Sequence, residues 1–244
     1  MALAVHFRDV VSLSGRFPLL SGASLDVAHG EVVHLQGPNG AGKTSLLRAL
    51  SGLVPIASGE AIVLGYDLRS DPRRVRHEIG LIGHATFLYD DLSVEDNMNF
   101  ALRGAHQPLD RAQGALSRLG LDGRLSATQV RKLSAGQRRR CALAILLAKG
   151  PRLWLLDEPH AGLDQEGREL VDELITEASR AGVTVVIASH DLERTAALAS
   201  RALEVVGGRV EAESIAAAAI ATTEPSSGSS TLSNSRLGKE RDVR

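Results

Sequence analysis

The sequence has few aromatic residues, a single cysteine and almost no net charge. Four Phe, two Tyr and one Trp are too few for a platform on which nucleic-acid bases stack. The formal net charge of -1 gives no basic field, so we expect no nucleic-acid partner. Cys141 alone forms neither an internal disulfide framework nor a cysteine-rich zinc module, which favours a reducing compartment.

Long apolar runs are also missing. The longest candidate, residues 141–148, is well short of the roughly 20 residues that span a bilayer. Arg8 and Asp9 interrupt the apolar start of the chain, so this start does not have the pattern of a secretory signal. We therefore expect a soluble or peripheral protein that reaches a membrane only through another chain.

Strand-like and helix-like segments alternate through the middle of the chain. Residues 153–156 and 183–188 are short apolar runs typical of strands buried on both faces, and apolar residues between them recur at helical spacing. This alternation predicts an α/β fold with a mostly parallel sheet covered by helices on both faces. Antiparallel strands are expected in residues 1–30, and a terminal hairpin in residues 203–210.

The domain organisation follows from where these patterns change. Residues 87–150 lack strong strand runs, so we expect a helical lobe inserted into a main domain of residues 1–210. Residues 211–244 are predicted to be a disordered tail, apart from a brief helix at 215–220. The tail is rich in Ser and Thr and lacks aromatic residues, so it buries too little surface to offset the entropy of ordering.

The strongest motif is a glycine-rich loop that follows a strand-like run and opens a helix. It matches G-x-x-x-x-G-K-[S/T], in which backbone N–H groups surround phosphates at a positively polarised helix start. Lys43 is expected to hold the β- and γ-phosphates, and Thr44 to bind Mg²⁺. The competing interpretation is an ordinary glycine-rich turn. The candidate phosphate-binding residues are Gly37, Pro38, Asn39, Gly40, Ala41, Gly42, Lys43, Thr44 and Ser45.

Two adjacent carboxylates end the buried run at residues 153–156. Asp157 is a candidate Mg²⁺ ligand, and Glu158 is a candidate base that polarises the attacking water. Such an ending alone could simply cap the next turn. Together with the phosphate loop, it predicts phosphoryl-transfer chemistry at the carboxyl edge of the sheet.

A third motif, Leu-Ser-Ala-Gly-Gln at residues 133–137, precedes a helix. With it the chain resembles the ATP-binding subunits of ABC transporters, whose signature is usually LSGGQ. The resemblance covers about residues 4–210 and implies a P-loop NTPase core that binds ATP and Mg²⁺. It also implies two copies facing head to tail, in which Ser134, Gly136 and Gln137 of one copy close on the ATP of the other. Alone, the motif also fits an ordinary N-cap before an apolar helix.

Other positions fit the same family pattern. His190 matches its switch histidine, which contacts the γ-phosphate and makes a catalytic set with Lys43 and Glu158. Phe17 stands where the family places an aromatic ring against adenine, although a lone Phe is more often part of a core. His84 replaces the usual glutamine, which reaches the Mg²⁺ shell and couples the site to the membrane subunit. His84 can hydrogen-bond and can reach a metal shell, so it is a candidate metal-site residue with Thr44 and Asp157.

The sequence indicates the branch of the ABC family less clearly than it indicates the family itself. Gly83-His84 and the arginine run 138–140 are similar to the haem exporter subunits of cytochrome c maturation, although such a run also fits a solvated helix face. An exporter of a drug, lipid or polysaccharide is the alternative, and a non-transport ABC ATPase is a remote one.

For a transporter, the resemblance implies an ATP-hydrolysing subunit that works as a homodimer. It would lie peripherally at the cytoplasmic face of the cell membrane and contact the membrane only through permease subunits. Residues 87–97, which follow His84, are the candidate docking segment for the permease.

Overall fold

The computed structural model describes residues 2–215, which form two sheets and the helices packed around them. Of the expected tail, only residues 211–215 are described. The helix expected at 215–220 therefore lies outside the described residues from residue 216 on, as does the rest of the tail. Among the described helices, none combines the length and apolar character that crossing a bilayer requires.

The smaller sheet is antiparallel, and all of its strands lie within the first 67 residues. Its long strands β1 and β2 pair with each other through several register shifts, and β4 pairs on the other side of β1. The order across this sheet is β2-β1-β4-β5. Its strands are β1 (Leu3–Ser14), β2 (Phe17–Ala28), β4 (Ile56–Val63) and β5 (Tyr66–Asp67).

The larger sheet has six strands, five of them mutually parallel. Its strands are β3 (Val32–Gln36), β6 (Ile79–Ile82), β7 (Leu153–Asp157), β8 (Thr184–Ala188), β9 (Arg201–Val206) and β10 (Arg209–Ile215). They lie in the order β10-β9-β3-β8-β7-β6, and only β10 is antiparallel to its neighbour. Strands β7 and β8 are buried along their whole length, as their continuous apolar runs predict.

Six α-helices connect the described strands. Among them, α2, α3 and α4 pack on one another and form the helical lobe. The helices are α1 (Lys43–Leu50), α2 (Val94–Gly104), α3 (Arg111–Arg118), α4 (Ala135–Lys149), α5 (Gln165–Arg180) and α6 (Leu192–Leu198). Short 3-10 helices occur at Arg74–His77, Gly123–Leu125 and Val130–Lys132.

The larger sheet separates two apolar cores. One core joins its strands to the lobe and α5, and the other joins them to α1 and the antiparallel sheet. Leu46, Leu47 and Leu50 enter the second core from α1, as their helical spacing predicts. Leu53 does not, because α1 ends at Leu50 and leaves the Leu53 side chain 51% exposed.

Local signals set the ends of α4. Ser134 and Gln137 form a capping box at its start, and Gly150 ends it in the left-handed conformation that glycine adopts without strain. Cys141 lies fully buried within α4, and burial raises the pKa of its thiol to about 12. This cysteine is therefore a small apolar core residue and not a reactive thiol.

The last described strand continues past the boundary that composition suggests. Strand β10 runs to Ile215, and residues 212–215 pair with residues 201–204 of β9. Residues 211–215 therefore belong to the folded sheet and not to a tail.

Candidate nucleotide-binding site

The site lies where four neighbouring parallel strands end. The glycine-rich loop follows β3, and His190 follows β8. Asp157 ends β7 with Glu158 directly after it, and His84 follows β6. Since β3, β8, β7 and β6 are adjacent and parallel, their carboxyl ends meet at one edge of the sheet. A cavity of about 360 Å³ at this edge is lined by the loop residues 39–45 and by His84, Asp157, Glu158 and His190.

The glycine-rich loop has a shape that side chains would prevent. Gly37, Gly40 and Gly42 all have positive φ angles, of 136°, 79° and 110°. A Cβ atom on Gly37 would lie 2.2 Å from the carbonyl oxygen of Val205. Lys43 lies inside the loop, 8% exposed, and its Nζ donates to the carbonyls of Gly37 (2.6 Å) and Pro38 (3.1 Å). The loop is thus a closed backbone cradle with one cation at its centre.

Thr44 joins this loop to the carboxylate at the end of β7. Its hydroxyl donates a hydrogen bond of 2.7 Å to Oδ2 of Asp157, which is itself 8% exposed. Two oxygen ligands of the type that Mg²⁺ prefers therefore lie side by side at the cavity. Within residues 2–215, no group of three or more His, Cys, Asp or Glu side chains is arranged to hold a metal ion.

Glu158 has an unusual backbone conformation that turns the chain at the end of β7. Its φ angle is +50°, in the left-handed region that non-glycine residues rarely adopt. Its N–H donates to the carbonyl of Ala188 at 2.8 Å, and its carbonyl accepts from the N–H of Ala161 at 3.1 Å. These bonds fix the residue so that its side chain lines the cavity next to His190.

A polar cluster surrounds the Glu158 carboxylate. His190 Nε2 lies 3.6 Å from one carboxylate oxygen, and the hydroxyl of Ser189 lies 3.4 Å from the other. The carbonyl of Ser189 accepts a 3.1 Å bond from His34 Nε2, and His34 Nδ1 accepts a 3.2 Å bond from the Gln36 amide. His34 is completely buried, and this burial lowers the pKa of its imidazole. A neutral imidazole matches both hydrogen bonds, so His34 supports the loop that holds His190.

His84 lines the same cavity, and an arginine of the helical lobe binds the backbone of the residue before it. Arg139 of α4 donates to the carbonyl of Gly83 at 2.8 Å and to the carbonyl of Glu158 at 2.7 Å. Only 4% of Arg139 is exposed, so the interpretation of residues 138–140 as a solvated face is wrong for this arginine. Arg138 and Arg140 instead form ion pairs on the outside of the helix, with Asp90 and Asp164.

The structure does not bring the 133–137 motif to the phosphate loop of the same chain. Ser134, Gly136 and Gln137 line a separate cavity of about 510 Å³, together with residues 162–164. The Ser134 hydroxyl accepts from the Gln137 N–H at 3.2 Å, and the Gln137 side chain accepts from the Ser134 N–H at 3.0 Å. A Cβ on Gly136 would lie 3.0 Å from the carbonyl of Gly162, so glycine permits this close approach.

Phe17 also lies outside the cavity at the strand ends. It begins β2 with its side chain 78% exposed. The carbonyl of Leu19, two residues further along β2, lies close to Gly42 and Gly208. Phe17 is therefore a solvent-facing ring near the loop and not the core residue that a lone Phe more often is.

A groove lies beside residues 86–89, which follow His84, and between β6 and helices α2 and α4. Its volume is about 250 Å³, and Phe87, Tyr89 and Phe100 expose 72%, 53% and 56% of their surface beside it. Tyr89 and Phe100 stack edge to face with ring centroids 5.0 Å apart. The groove is thus mainly apolar, and four residues of the predicted docking segment, 87–89 and 97, line it.

Comparison with known proteins identifies the family of this chain. The family model for ABC transporters matches residues 20–161. The chain belongs to the ATP-binding subunits of ABC transporters. It is 39% identical over 185 residues to the cytochrome c biogenesis ATP-binding export protein CcmA 2 of Cupriavidus metallidurans, covering 75% of this chain and 87% of that protein. It is 34% identical over 214 residues to the glutamine transport ATP-binding protein GlnQ of Escherichia coli, covering 84% and 89%.

Solved structures show the same fold. The dimeric post-hydrolysis state of an ATP-binding cassette bound to ADP and phosphate matches with a TM-score of 0.79 at 25% identity, covering 86% of this chain and 98% of that one. The α/β fold and the family expected from the sequence are therefore confirmed.

Sequence patterns alone miss several residues that support the site of the ATP-binding subunit. Ser189 and His34 have no motif of their own, although Ser189 directly precedes the candidate switch histidine. The sequence does not single out Arg139, because it is one of three consecutive arginines and each of them is equally consistent with a solvent-exposed position. A helical-face assignment of α4 could have separated it from its neighbours.

Proposed function

We propose that this chain is the ATP-hydrolysing subunit of an ABC exporter and works as a pair of copies bound to permease subunits. The observation that supports this best is the meeting of the phosphate loop, Asp157, Glu158 and His190 at four adjacent strand ends. We assign residues 1–210 to the ATPase domain, with the lobe at about 87–150, and extend that domain to Ile215 because β10 does.

Phosphate binding is the task of the loop. The backbone N–H groups of residues 37–45 and the start of α1 offer partial positive charge to the phosphates. Lys43 already points into the loop, and its ammonium exchanges the carbonyls of Gly37 and Pro38 for the β- and γ-phosphate oxygens. These contacts stabilise the charge that develops on the transferred phosphoryl group.

The residues present fit a Mg²⁺ ion bound with ATP. Thr44 Oγ1 and Asp157 Oδ2 lie 2.7 Å apart, and both are hard oxygen ligands. Thr44 and Asp157 would hold the ion, which would neutralise phosphate charge when bound. Mg²⁺ usually takes only one or two carboxylate or other oxygen ligands from a protein, so this pair would suit it. The imidazole of His84 is a softer donor, so we assign it to hydrogen bonding of phosphate or water.

Glu158 is the proposed general base. Its carboxylate orients the attacking water and accepts the proton that this water loses. His190, 3.6 Å from that carboxylate, is placed to donate a hydrogen bond to the γ-phosphate. The fixed backbone of Glu158 and the Ser189 hydroxyl hold the carboxylate in one orientation, so little reorganisation is needed when the water attacks the γ-phosphate.

The second copy supplies the missing part of the site. Ser134, Gly136 and Gln137 line their own cavity at the start of α4, where N–H groups favour an anion. We propose that they close on the γ-phosphate held by the other copy, and that Phe17 contacts the adenine. The dimer found for a related cassette bound to ADP and phosphate supports this pairing.

The permease partner docks in the apolar groove beside Phe87, Tyr89 and Phe100. The groove follows His84 directly along the chain, so a movement of the partner reaches the ATP site through residues 83–89. We place the complex at the cytoplasmic face of the cell membrane, where this subunit is peripheral and only the permease crosses the bilayer.

Haem export for cytochrome c maturation is the substrate assignment that we propose. Gly83-His84, the Ala135 variant of the signature and several cytochrome c biogenesis export relatives support it. An exporter of another substrate is the second candidate, because a phospholipid-transporting ATPase also matches the chain.

Phosphate release by the purified chain together with its permease tests the proposal. We expect Mg²⁺-dependent ATP hydrolysis that haem stimulates in the reconstituted complex. Hydrolysis stimulated by a drug or lipid but not by haem would favour the second candidate. A complex that binds ATP without hydrolysing it would contradict the proposed function.

A further inference from the structure

Arg139 is a buried cation at the junction between the helical lobe and the ATP site. It lies on α4, five residues after Ser134, with 4% of its surface exposed. Its two terminal nitrogens donate to different carbonyls, those of Gly83 at 2.8 Å and Glu158 at 2.7 Å. The guanidinium therefore bridges the ends of the adjacent strands β6 and β7 from a third element.

Burying this guanidinium is costly unless it is compensated. Burial lowers the pKa of Arg139, while the negative charges of Asp157 and Glu158 raise it again. Arginine nevertheless stays protonated in proteins, and its planar fork binds two acceptors at a fixed separation. An apolar side chain of similar length would fill the space without this cost, so the two hydrogen bonds are the specific contribution of arginine here.

The contact at Glu158 falls on a strained residue. The carbonyl of Glu158 accepts from Arg139 and from the N–H of Ala161, and its own N–H donates to Ala188. These three bonds hold the backbone at a φ of +50°, which an unsupported glutamate leaves readily. Without Arg139, the backbone of Glu158 is free to relax, and its carboxylate moves with it.

The other contact falls beside His84. The carbonyl of Gly83 is fixed by Arg139 at the point where the chain leaves β6 and enters the segment that lines the apolar groove. One side chain thus contacts both the residue before His84 and the residue that we assign as the base. Its own helix begins at Ser134, which faces the ATP of the second copy in the proposed pair.

We propose that Arg139 is a positioning residue that fixes Glu158 and the Gly83-His84 segment to α4, the helix that follows the 133–137 motif. Closure of the second copy's ATP on Ser134 is then transmitted through one and a half turns of α4 to the base of the other ATP site. This inference rests on the proposed ATP hydrolysis. Arg139 itself touches neither the nucleotide nor the attacking water.

Steady-state kinetics of the full-length chain in its permease complex tests the inference. For Arg139→Gln we expect kcat to fall at least about tenfold, with KM for ATP and the Kd for a fluorescent ATP analogue changed less than about threefold. Arg139→Lys keeps the charge but loses the planar fork, so we expect an intermediate kcat. Arg138→Gln is the matched control, because Arg138 lies next to it on α4 but pairs outside with Asp90.

Three results would overturn the inference. The first is a wild-type kcat for folded Arg139→Gln, and the second is an equal loss of kcat in Arg138→Gln. The third is a parallel rise in KM and Kd that accounts for the whole effect, which would indicate a general loss of structure. If Arg139→Gln does not fold, the decision falls on Arg139→Lys, whose unchanged kcat would contradict the bridge. Absence of hydrolysis in the unaltered complex would instead contradict the proposed function.

Discussion

The hydroxyl of Thr44 donates a 2.7 Å hydrogen bond to the carboxylate of Asp157, although 113 residues separate the two in the sequence. Thr44 lies in the first turn of α1, after the phosphate loop, and Asp157 ends β7 two strands away from β3 across the sheet. Their contact holds together the two elements that the proposed mechanism needs at the same phosphates. It also explains why the Asp157-Glu158 pair, which is weak evidence alone, is strong evidence beside the phosphate loop.

Replacing Lys43 by Ala removes the cation at the centre of the loop. Lys43 is the loop's ammonium donor and already contacts two of its carbonyls, so we expect hydrolysis to fall at least about a hundredfold. Phosphate release and binding of a fluorescent ATP analogue measure this loss. Arg180→Ala removes an exposed cation at the end of α5 and serves as the control. Near-normal turnover of the Lys43 variant would contradict the phosphate site.

Replacing Glu158 by Gln keeps the size of the side chain but removes the base. We expect ATP binding to be retained, hydrolysis to fall at least about a hundredfold and two copies to stay together around uncleaved ATP. Size-exclusion chromatography with ATP and Mg²⁺ detects this pair. Glu193→Gln, on α6 outside the cavity, should behave like the unaltered chain. A Glu158 variant with the wild-type rate would exclude it as the base.

The sequence predicts the centre of this site better than its support. The loop at residues 37–44 is a continuous local pattern, and alternating strands and helices are enough to bring Asp157 to it. The contacts of Arg139 could not be predicted, because its acceptors are backbone carbonyls 56 and 19 residues away. Any residue type supplies such a carbonyl, so no pattern of side chains marks it. The end of β10 was hidden for a related reason, since residues 211–215 pair through their backbone and lack the apolar alternation of a buried strand.

Ser134 has two roles that a matched pair of variants separates. As the N-cap of α4 it accepts from the Gln137 N–H, and Ser93 accepts from the Asp96 N–H in the same way at the start of α2. We expect Ser134→Ala and Ser93→Ala each to lower the free energy of unfolding by about 1 kcal/mol in urea denaturation. Only Ser134→Ala should also weaken ATP-dependent pairing in the Glu158→Gln background. Equal pairing of both variants would show that Ser134 is a cap alone.

The buried histidines predict how stability depends on pH. Burial lowers the pKa of His34 and His160 in the folded chain, whereas the unfolded chain takes up these protons near pH 6.5. The unfolded state therefore binds more protons than the folded state at pH values between the pKa of the folded chain and that of the unfolded chain. Their stabilising contribution is complete above about pH 6.5 and decreases as the pH falls below it, by up to about 1.4 kcal/mol per pH unit for each group.

Urea denaturation between pH 5 and 8 checks this expectation. The slope of unfolding free energy against pH should be smaller in His34→Gln than in the unaltered chain, even if its overall stability is lower. His77→Gln removes an exposed imidazole and should leave the slope unchanged. An equal slope in the His34 variant would show that this imidazole does not titrate on unfolding.

Two truncations separate the tail from the sheet. Removal of residues 216–244 should leave hydrolysis and the melting temperature nearly unchanged, because that segment lacks aromatic residues and is rich in Ser and Thr from residue 222 on. Removal of residues 211–244 also deletes the pairing of residues 212–215 with β9, and β9 lies directly beside β3. Because β3 leads into the phosphate loop, we expect this longer truncation to lower the melting temperature by several degrees and to weaken ATP binding. Thermal unfolding with and without ATP compares the two, and identical behaviour would show that β10 does not support the site.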